Sequence, residues 1–340
     1  MRILIVTDAW RPQVNGVVNT LEKLAETLDG MGVVTRFVTP EGFHTIPLPS
    51  YPEIRLTLAT RDMAERRMND AAPDRVHIAT EGPLGVLARR ICLDRCWAFT
   101  TSYHTRYPEF VRARLPIPES WCYYWLRRFH NAGQAVLVAT PSMGEELTAK
   151  GFTNVRLWSR GVDTDLFHPR HRRDLGLPRP IFLNVGRVAV EKNLPAFLDL
   201  DLPGSKVVVG DGPELARLKA RYREVHFMGV RRGEELARIY ASADVFVFPS
   251  RTDTFGNVIL EALASGCPVA AFPVTGPIDI VGRGMGGVLS QDLREAAIAG
   301  LHVARGMARD RAQAYGWLNC ARQFLDHGLQ KCGSSIGRWK

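Results

Sequence analysis

The chain has 340 residues, of which 46% are hydrophobic and 23% are charged, and its formal net charge is +9. This composition is typical of a globular protein, and the length suffices for two domains with separate cores. The apolar run at residues 3–6 is too short for a secretory signal peptide, and no apolar stretch reaches the about 18 residues of a membrane-spanning helix. We therefore expect a cytoplasmic protein that does not cross a bilayer.

The cysteines and the positive charge narrow the functional classes further. Six cysteines are scattered along the chain without the C-x-x-C spacing of zinc sites. This pattern favours reduced, mostly buried thiols and predicts neither a metal site nor a disulfide scaffold. The charge favours anionic partners, among which nucleic acid, an anionic lipid surface and a diphosphate all stay open.

The first half of the chain alternates short β-branched runs with longer stretches of helical periodicity. Residues 3–6 are predicted as a strand, followed by a helix over residues 17–28, where apolar side chains recur at i, i+3 and i+4. A later helix is predicted to begin near Gly144. Further strands are predicted over residues 34–38, 76–79, 98–102 and 135–139.

The second half repeats this alternation, which is typical of parallel sheets covered by helices on both faces. The two series favour two doubly wound, Rossmann-like α/β domains that face each other across a cleft. The periodicity breaks at Pro169, at the basic run 170–173 and at Pro178, so the seam is predicted there. The predicted strands are residues 181–185, 206–209, 225–227, 245–248 and 268–272.

The loop after predicted strand 181–185 carries two cations. Gly186 permits a tight turn, and Arg187 and Lys192 follow, five positions apart from each other. Because a diphosphate carries more charge than one cation offsets, two cations at a strand end can bracket it. By itself this loop is equally compatible with ordinary surface charges.

The loop after predicted strand 245–248 adds a second element. Phe255, Gly256 and Asn257 indicate a turn that opens a helix, whose free N–H groups and positive dipole end suit a phosphate. Before that helix lies Asp253, and Glu261 follows about two turns later. Carboxylates suit vicinal hydroxyls because they only accept hydrogen bonds. For Asp253, the alternative role is that of the helix N-cap.

Arg187 and Lys192, together with Asp253 and Glu261, resemble the donor site of the retaining family-4 glycosyltransferases of the GT-B fold, including bacterial enzymes that glycosylate diacylglycerol. The family pattern is Glu-x7-Glu, whereas this chain has aspartate first, which retracts the carboxylate by about 1.5 Å. The ordered resemblance covers nearly the whole chain. It includes residues 1–20, the His104 segment, residues 159–163 and residues 209–214.

The resemblance implies a nucleotide-sugar substrate, expected to be a UDP-sugar, and neither a bound cofactor nor a metal ion. By this resemblance, Arg187 and Lys192 neutralise the donor diphosphate, Asp253 holds the transferred sugar and Glu261 holds the nucleotide ribose. The other expected donor-binding residues are Gly16, Gly186, Gly212, Phe255, Gly256, Asn257 and Val258.

The resemblance also implies a domain organisation. Residues 1–167 are expected to form the acceptor-binding domain, and residues 168–315 the domain that binds the nucleotide sugar. A last helix at about residues 316–335 is expected to pack back on the first domain.

His104 follows predicted strand 98–102. A lone histidine is more often structural than catalytic, but the resemblance places this one beside the reacting sugar, where it orients the sugar and stabilises developing positive charge. The predicted catalytic set is His104, Arg187, Lys192 and Asp253. The implied mechanism is front-face substitution with retention, in which the departing diphosphate helps to take the acceptor proton.

The segment 111–129 interleaves aromatic and basic side chains. This combination is typical of a bilayer interface, so a membrane lipid such as diacylglycerol is the expected acceptor and the inner face of the cell membrane the expected location. A core helix with aromatics inside and arginines at its edge fits the pattern equally well. The candidate residues are Arg112, Arg114, Trp121, Tyr124, Trp125, Arg127 and Arg128.

Four alternative functions fit the sequence less well. A soluble or polysaccharide acceptor is the main alternative, followed by a nucleotide-sugar epimerase, for which no acid–base pair is evident. An NAD-dependent oxidoreductase is disfavoured because G-x-G-x-x-G is missing after the first strand. Binding of nucleic acid is not expected, since the arginines are not grouped on a recognition element. The sequence leaves open the sugar, the nucleotide base, the identity of the acceptor, the linkage position and the oligomeric state.

Overall fold

The computed structural model describes residues 1–11, 16–48, 51–108, 118–253, 255–282 and 284–328. Two six-stranded parallel sheets form its frame, one in each half of the chain. Clusters of buried apolar side chains lie on both faces of each sheet, where the helices cover it. This arrangement confirms the predicted pair of doubly wound α/β domains.

The first sheet is built from the strands of residues 2–157. The strands described there are β1 (Arg2–Val6), β2 (Val34–Val38), β3 (His44–Leu48), β4 (Tyr51–Leu58), β5 (Arg75–Ile78), β6 (Phe99–Ser102), β7 (Ala135–Val138) and β8 (Val155–Leu157). The sheet order is β2-β1-β5-β6-β7-β8, and β3 pairs with β4 in a separate antiparallel ribbon. The described helices are Gly16–Gly30, Arg61–Asp70, Pro83–Asp94, Glu119–His130 and Pro141–Ala149.

The second sheet repeats this plan with the order β11-β10-β9-β12-β13-β14. Its strands are β9 (Ile181–Val185), β10 (Ser205–Val209), β11 (His226–Gly229), β12 (Val245–Phe248), β13 (Val269–Ala271) and β14 (Gly287–Leu289). The helices described around it are Pro195–Leu198, Leu215–Arg221, Gly233–Ser242, Asn257–Ala264, Pro277–Val281, Leu293–Gly300 and Arg305–Gln313. Of the helices in the described ranges, none combines the length and the apolar character needed to cross a bilayer.

Two sequence-based predictions about these elements need correction. The β3–β4 ribbon and the short strands β8 and β14 were not predicted. The helix expected to begin near Gly144 starts at Pro141. Thr140 caps it, because its hydroxyl accepts the N–H of Met143, and proline suits the first helical position since its missing N–H is not needed there.

A last helix, Trp317–Gly328, follows the second sheet in the chain but packs on the first domain. The indole N–H of Trp158 donates to the carbonyl oxygen of Cys320 at 3.2 Å. The Phe324 ring lies 5.1 Å from the ring of Trp158 and 5.0 Å from that of His77. The chain therefore crosses from one domain to the other twice, once after the first sheet and once before this last helix.

Candidate active site

Two loops at the carboxyl ends of β9 and β10 run side by side. The backbone N–H of Gly186 donates to Val209 at 3.0 Å, and that of Val188 donates to Asp211 at 2.9 Å. Gly210 and Gly212 have φ values of 141° and 158°. A Cβ at Gly210 would lie 1.9 Å from the Gly186 oxygen. The glycines therefore allow the two loops to approach closely, and this close approach fixes the loop that carries Arg187. Gly212, predicted to bind the donor, thus has a structural role.

Alanine at Gly210 is expected to destabilise the protein by roughly 2–4 kcal/mol, because the added methyl group meets backbone atoms and the residue keeps a positive φ. Urea denaturation measures this change. Gly306→Ala is the matched control, since Gly306 lies in the helix Arg305–Gln313 with nothing within 4 Å of an added Cβ. Equal stability of the two variants would contradict the close approach.

Lys192 and Asp253, which lie in loops after β9 and β12, form an ion pair of 2.5 Å between Nζ and Oδ1. Asn193, in the left-handed region at φ 52°, joins these loops by donating from its side chain to the Pro249 oxygen at 3.1 Å. The second carboxylate oxygen of Asp253 is buried, and no described residue hydrogen-bonds to it. The pair therefore combines a cation for a phosphate with an acceptor for a hydroxyl.

Glu261 lies in the helix Asn257–Ala264 and accepts a 2.9 Å hydrogen bond from the hydroxyl of Tyr240. Burial raises the pKa of Glu261 to about 7, and the Tyr240 hydrogen bond partly opposes the rise. The N-cap of this helix is Gly256, at φ 95°, so the alternative of Asp253 as the cap is wrong. No sequence pattern marks Tyr240, which is fully buried in another helix.

The remaining predicted donor residues surround the start of this helix. Phe255 is buried, so its side chain belongs to the core, and Val258 packs against the same core. Across the cleft, the side-chain nitrogen of Asn257 donates to the oxygen of Gly16 at 3.5 Å, which links the two domains directly. A second link joins Ser142 to Asp279. Gly16 and Asn257, expected to bind the donor, thus contact each other.

His104 follows β6 in the first domain, and its Nδ1 accepts a 2.9 Å hydrogen bond from Arg160. Burial, and then the charge of Arg160, hold the pKa of His104 well below its usual value. The imidazole is therefore neutral. Because a guanidinium only donates, Nδ1 carries no proton and Nε2 carries it. Sequence reasoning missed Arg160, although it lies in the segment 159–163 of the family resemblance.

The helix Glu119–His130 turns its aromatic residues in two directions. Tyr123, Leu126 and Phe129 are buried. Trp121, Tyr124 and Trp125 are 73%, 56% and 46% exposed, so the alternative in which these three pack inside is wrong. The remaining basic candidates divide as follows: Arg128 is exposed, Arg127 donates to the Lys150 carbonyl, and Arg112 and Arg114 lie outside the described residues.

Two doubly wound parallel sheets, with a cation–carboxylate pair at the carboxyl ends of the second, have the architecture of the GT-B fold. Residues 14–166 match the family model described as Glycosyltransferase Family 4, and residues 179–304 match the one described as Glycosyl transferases group 1. The chain belongs to glycosyltransferase family 4.

Known proteins resemble the chain along most of its length. It is 34% identical to the GDP-mannose-dependent alpha-mannosyltransferase of Mycobacterium tuberculosis, with 83% of this chain and 81% of the relative covered. It is 29% identical to the alpha-monoglucosyldiacylglycerol synthase of Streptococcus pneumoniae, with 80% and 71% covered. Sucrose-phosphate synthase from Thermosynechococcus elongatus shares the fold, with a TM-score of 0.74, 22% identity, and 96% and 97% covered. These similarities confirm the predicted family and fold.

Proposed function

We propose that this glycosyltransferase moves a hexose-type sugar from a nucleotide sugar to the hydroxyl group of a membrane lipid, with retention and without a metal ion. The observation that supports the proposal is the 2.5 Å ion pair of Lys192 and Asp253, a cation suited to a phosphate beside a carboxylate suited to a sugar hydroxyl. Incubation of the purified protein with nucleotide sugars and a lipid extract tests it, with the product identified by mass spectrometry. Failure to form any glycolipid would contradict it.

In the proposed mechanism, Arg187 and Lys192 stabilise the diphosphate as the glycosidic bond to it breaks. The buried oxygen of Asp253 accepts a hydrogen bond from a hydroxyl of the transferred sugar. The acceptor oxygen forms its bond to the anomeric carbon on the face that the diphosphate leaves, and the leaving diphosphate takes the proton of that hydroxyl, so no side chain needs to act as a base. His104 donates from Nε2 to the sugar and orients it.

The nucleotide of the donor is part of the proposal. The family resemblance implies a UDP-sugar, and the name of the M. tuberculosis relative supports GDP-mannose as a second candidate. UDP-glucose, UDP-galactose and GDP-mannose supplied separately, each with the same lipid extract, distinguish them. Incubation without an acceptor also tests the alternative of an epimerase, because only an epimerase converts one nucleotide sugar into another under those conditions.

A lipid acceptor is supported by the exposed aromatics of the helix Glu119–His130. Trp121, Tyr124 and Trp125 lie at positions i, i+3 and i+4, on one side of the helix, next to the exposed Arg128. Aromatic rings with adjacent arginines suit the headgroup region of a bilayer, and basic side chains add attraction to anionic lipids. The name of the S. pneumoniae relative, a diacylglycerol glycosylating enzyme, agrees with this acceptor.

The double variant Trp121→Ser/Trp125→Ser is expected to weaken binding to anionic vesicles at least tenfold, because each indole contributes about 1.5–3 kcal/mol on burial. Sedimentation with vesicles of phosphatidylglycerol and phosphatidylcholine measures the change. Met307→Ala, which removes a similarly exposed apolar side chain elsewhere, is the control. Arg128→Ala suits the charge test better than Arg127→Ala, because Arg127 holds the Lys150 carbonyl. Unchanged binding by the tryptophan variant would favour a soluble acceptor.

A further inference from the structure

Arg160 is a buried cation with an unusual set of partners. It is 4% exposed, and within the described part of the chain no carboxylate pairs with it. A buried charge without a counter-charge costs several kcal/mol. Burial lowers the pKa of Arg160 to about 10, so the side chain is nevertheless charged at neutral pH. Its partners therefore indicate what the charge does.

The contacts of Arg160 hold its guanidinium in one orientation. One terminal nitrogen donates to the Trp158 carbonyl oxygen at 3.0 Å, and the other donates to Nδ1 of His104 at 2.9 Å. The guanidinium carbon also lies 4.4 Å from the centre of the Trp158 ring. Trp158 is itself fully buried and hydrogen-bonded to Cys320, so the guanidinium rests on a fixed platform.

We propose that Arg160 is a positioning residue that acts through His104. By donating to Nδ1, it fixes the imidazole as the tautomer with its proton on Nε2, so that Nε2 donates to a hydroxyl of the transferred sugar. The tautomer assignment stands on the contact itself, whereas the effect on transfer rests on the proposed function. Arg160 touches neither substrate in this proposal.

The other states of His104 would serve the reaction less well. The tautomer with its proton on Nδ1 would direct that proton at the guanidinium and offer the sugar a lone pair. An imidazolium would add a second positive charge beside Arg160, next to a sugar that is itself becoming positive. Two further histidines nearby, His77 and His130, also disfavour that charge. The neutral Nε2–H tautomer avoids both conflicts.

Proton–nitrogen correlation spectra of the histidine side chains test the tautomer in the full chain, with the His104→Ala spectrum identifying the signal. We expect neutral His104 with its proton on Nε2 in the wild type and in Arg160→Lys, because lysine also only donates. Arg160→Met is expected to populate the other tautomer or the imidazolium. A proton on Nδ1 in the wild type, or an unchanged His104 signal in a folded Arg160→Met variant, would overturn the proposal.

Kinetics test whether the tautomer matters for transfer. Arg160→Met is expected to lower kcat by roughly 10- to 100-fold, as loss of one oriented contact does, with the donor KM changed by less than about threefold. Arg160→Lys should recover part of kcat. Because Arg160 acts through His104, the double variant Arg160→Met/His104→Ala should be within about threefold of His104→Ala.

The control is Arg305→Met, which removes another arginine that donates to backbone carbonyls, in the second domain. It should leave kcat and the His104 signal unchanged. Additive losses in the Arg160 and His104 double variant would show that Arg160 acts independently and would overturn the proposal. If the wild type transfers no sugar, the proposed function fails, and the spectra still decide the tautomer.

Discussion

Lys192→Ala is expected to lower kcat/KM for sugar transfer roughly 100- to 1000-fold while the fold stays intact. The lysine supplies positive charge where negative charge develops on the leaving diphosphate, and loss of one such group costs on this order. The substitution also leaves the Asp253 carboxylate without its 2.5 Å partner. An uncompensated carboxylate then repels the donor, so the donor KM is expected to rise as kcat falls.

Steady-state kinetics with saturating acceptor measure both constants, and circular dichroism checks the fold. Lys219→Ala is the matched control, because Lys219 is an exposed lysine of the same domain, in the helix Leu215–Arg221. It removes the same charge and should retain full activity. Wild-type turnover by folded Lys192→Ala would place the diphosphate elsewhere.

Glu261→Ala is expected to reduce kcat/KM for the donor about 100-fold or more, mainly through KM. The carboxylate is proposed to accept hydrogen bonds from both ribose hydroxyls, and a hydrogen bond to a charged group is worth about 1.5–3 kcal/mol. Tyr240→Phe should give a smaller loss, since it removes only the 2.9 Å hydrogen bond that holds one carboxylate oxygen. Isothermal titration with the nucleoside diphosphate measures this affinity. An effect of Tyr240→Phe larger than that of Glu261→Ala would contradict the assignment.

The pKa of Glu261 also predicts a pH dependence. Because burial raises this pKa to about 7, the accepting carboxylate is lost as the pH falls through 7, and wild-type kcat/KM for the donor should fall with it. Glu261→Gln should be less active but lack this acid limb. A wild-type profile without an inflection near pH 7 would contradict the link to Glu261.

The raised pKa of Glu261 affects the stability of the fold in the opposite direction, so that stability falls as the pH rises. The folded-state pKa lies above the ordinary value of 4.5, so the folded state binds the proton more tightly than the unfolded state does. The contribution of the Glu261 carboxyl group to the free energy of unfolding is full below pH 4.5 and is lost as the pH rises through about 7. Glu261→Gln should therefore gain stability over the wild type at pH 8 compared with pH 4.5, as measured by urea denaturation.

The sheets could be predicted because their strands are buried on both faces. Strand β12 is an unbroken apolar run and β9 is interrupted only by Asn184, and the structure has both at the predicted bounds. The β3–β4 ribbon was missed because it lies outside the sheets. There Ile46 and Leu58 are 46% and 55% exposed, so no regular burial of apolar side chains marks the strands.

The candidate site was predictable where its residues are close in sequence and follow strands. Arg187 and Lys192 share one loop, and Asp253 and Glu261 flank one helix start. Contacts between distant segments were not predictable, since they depend on how the elements pack. Such contacts orient the predicted side chains from elsewhere in the fold. Examples are Tyr240 with Glu261, Arg160 with His104, and Asn193 with Pro249.

The return of the helix Trp317–Gly328 to the first domain has a consequence for synthesis on the ribosome. The strands of the second sheet all lie between residues 181 and 289, so that domain emerges as one continuous segment and can fold as a unit. Trp158 and His77 are synthesised earlier, and they stay uncovered until Cys320 and Phe324 have also been synthesised. The domain whose strands are translated first is therefore the one whose core is completed last.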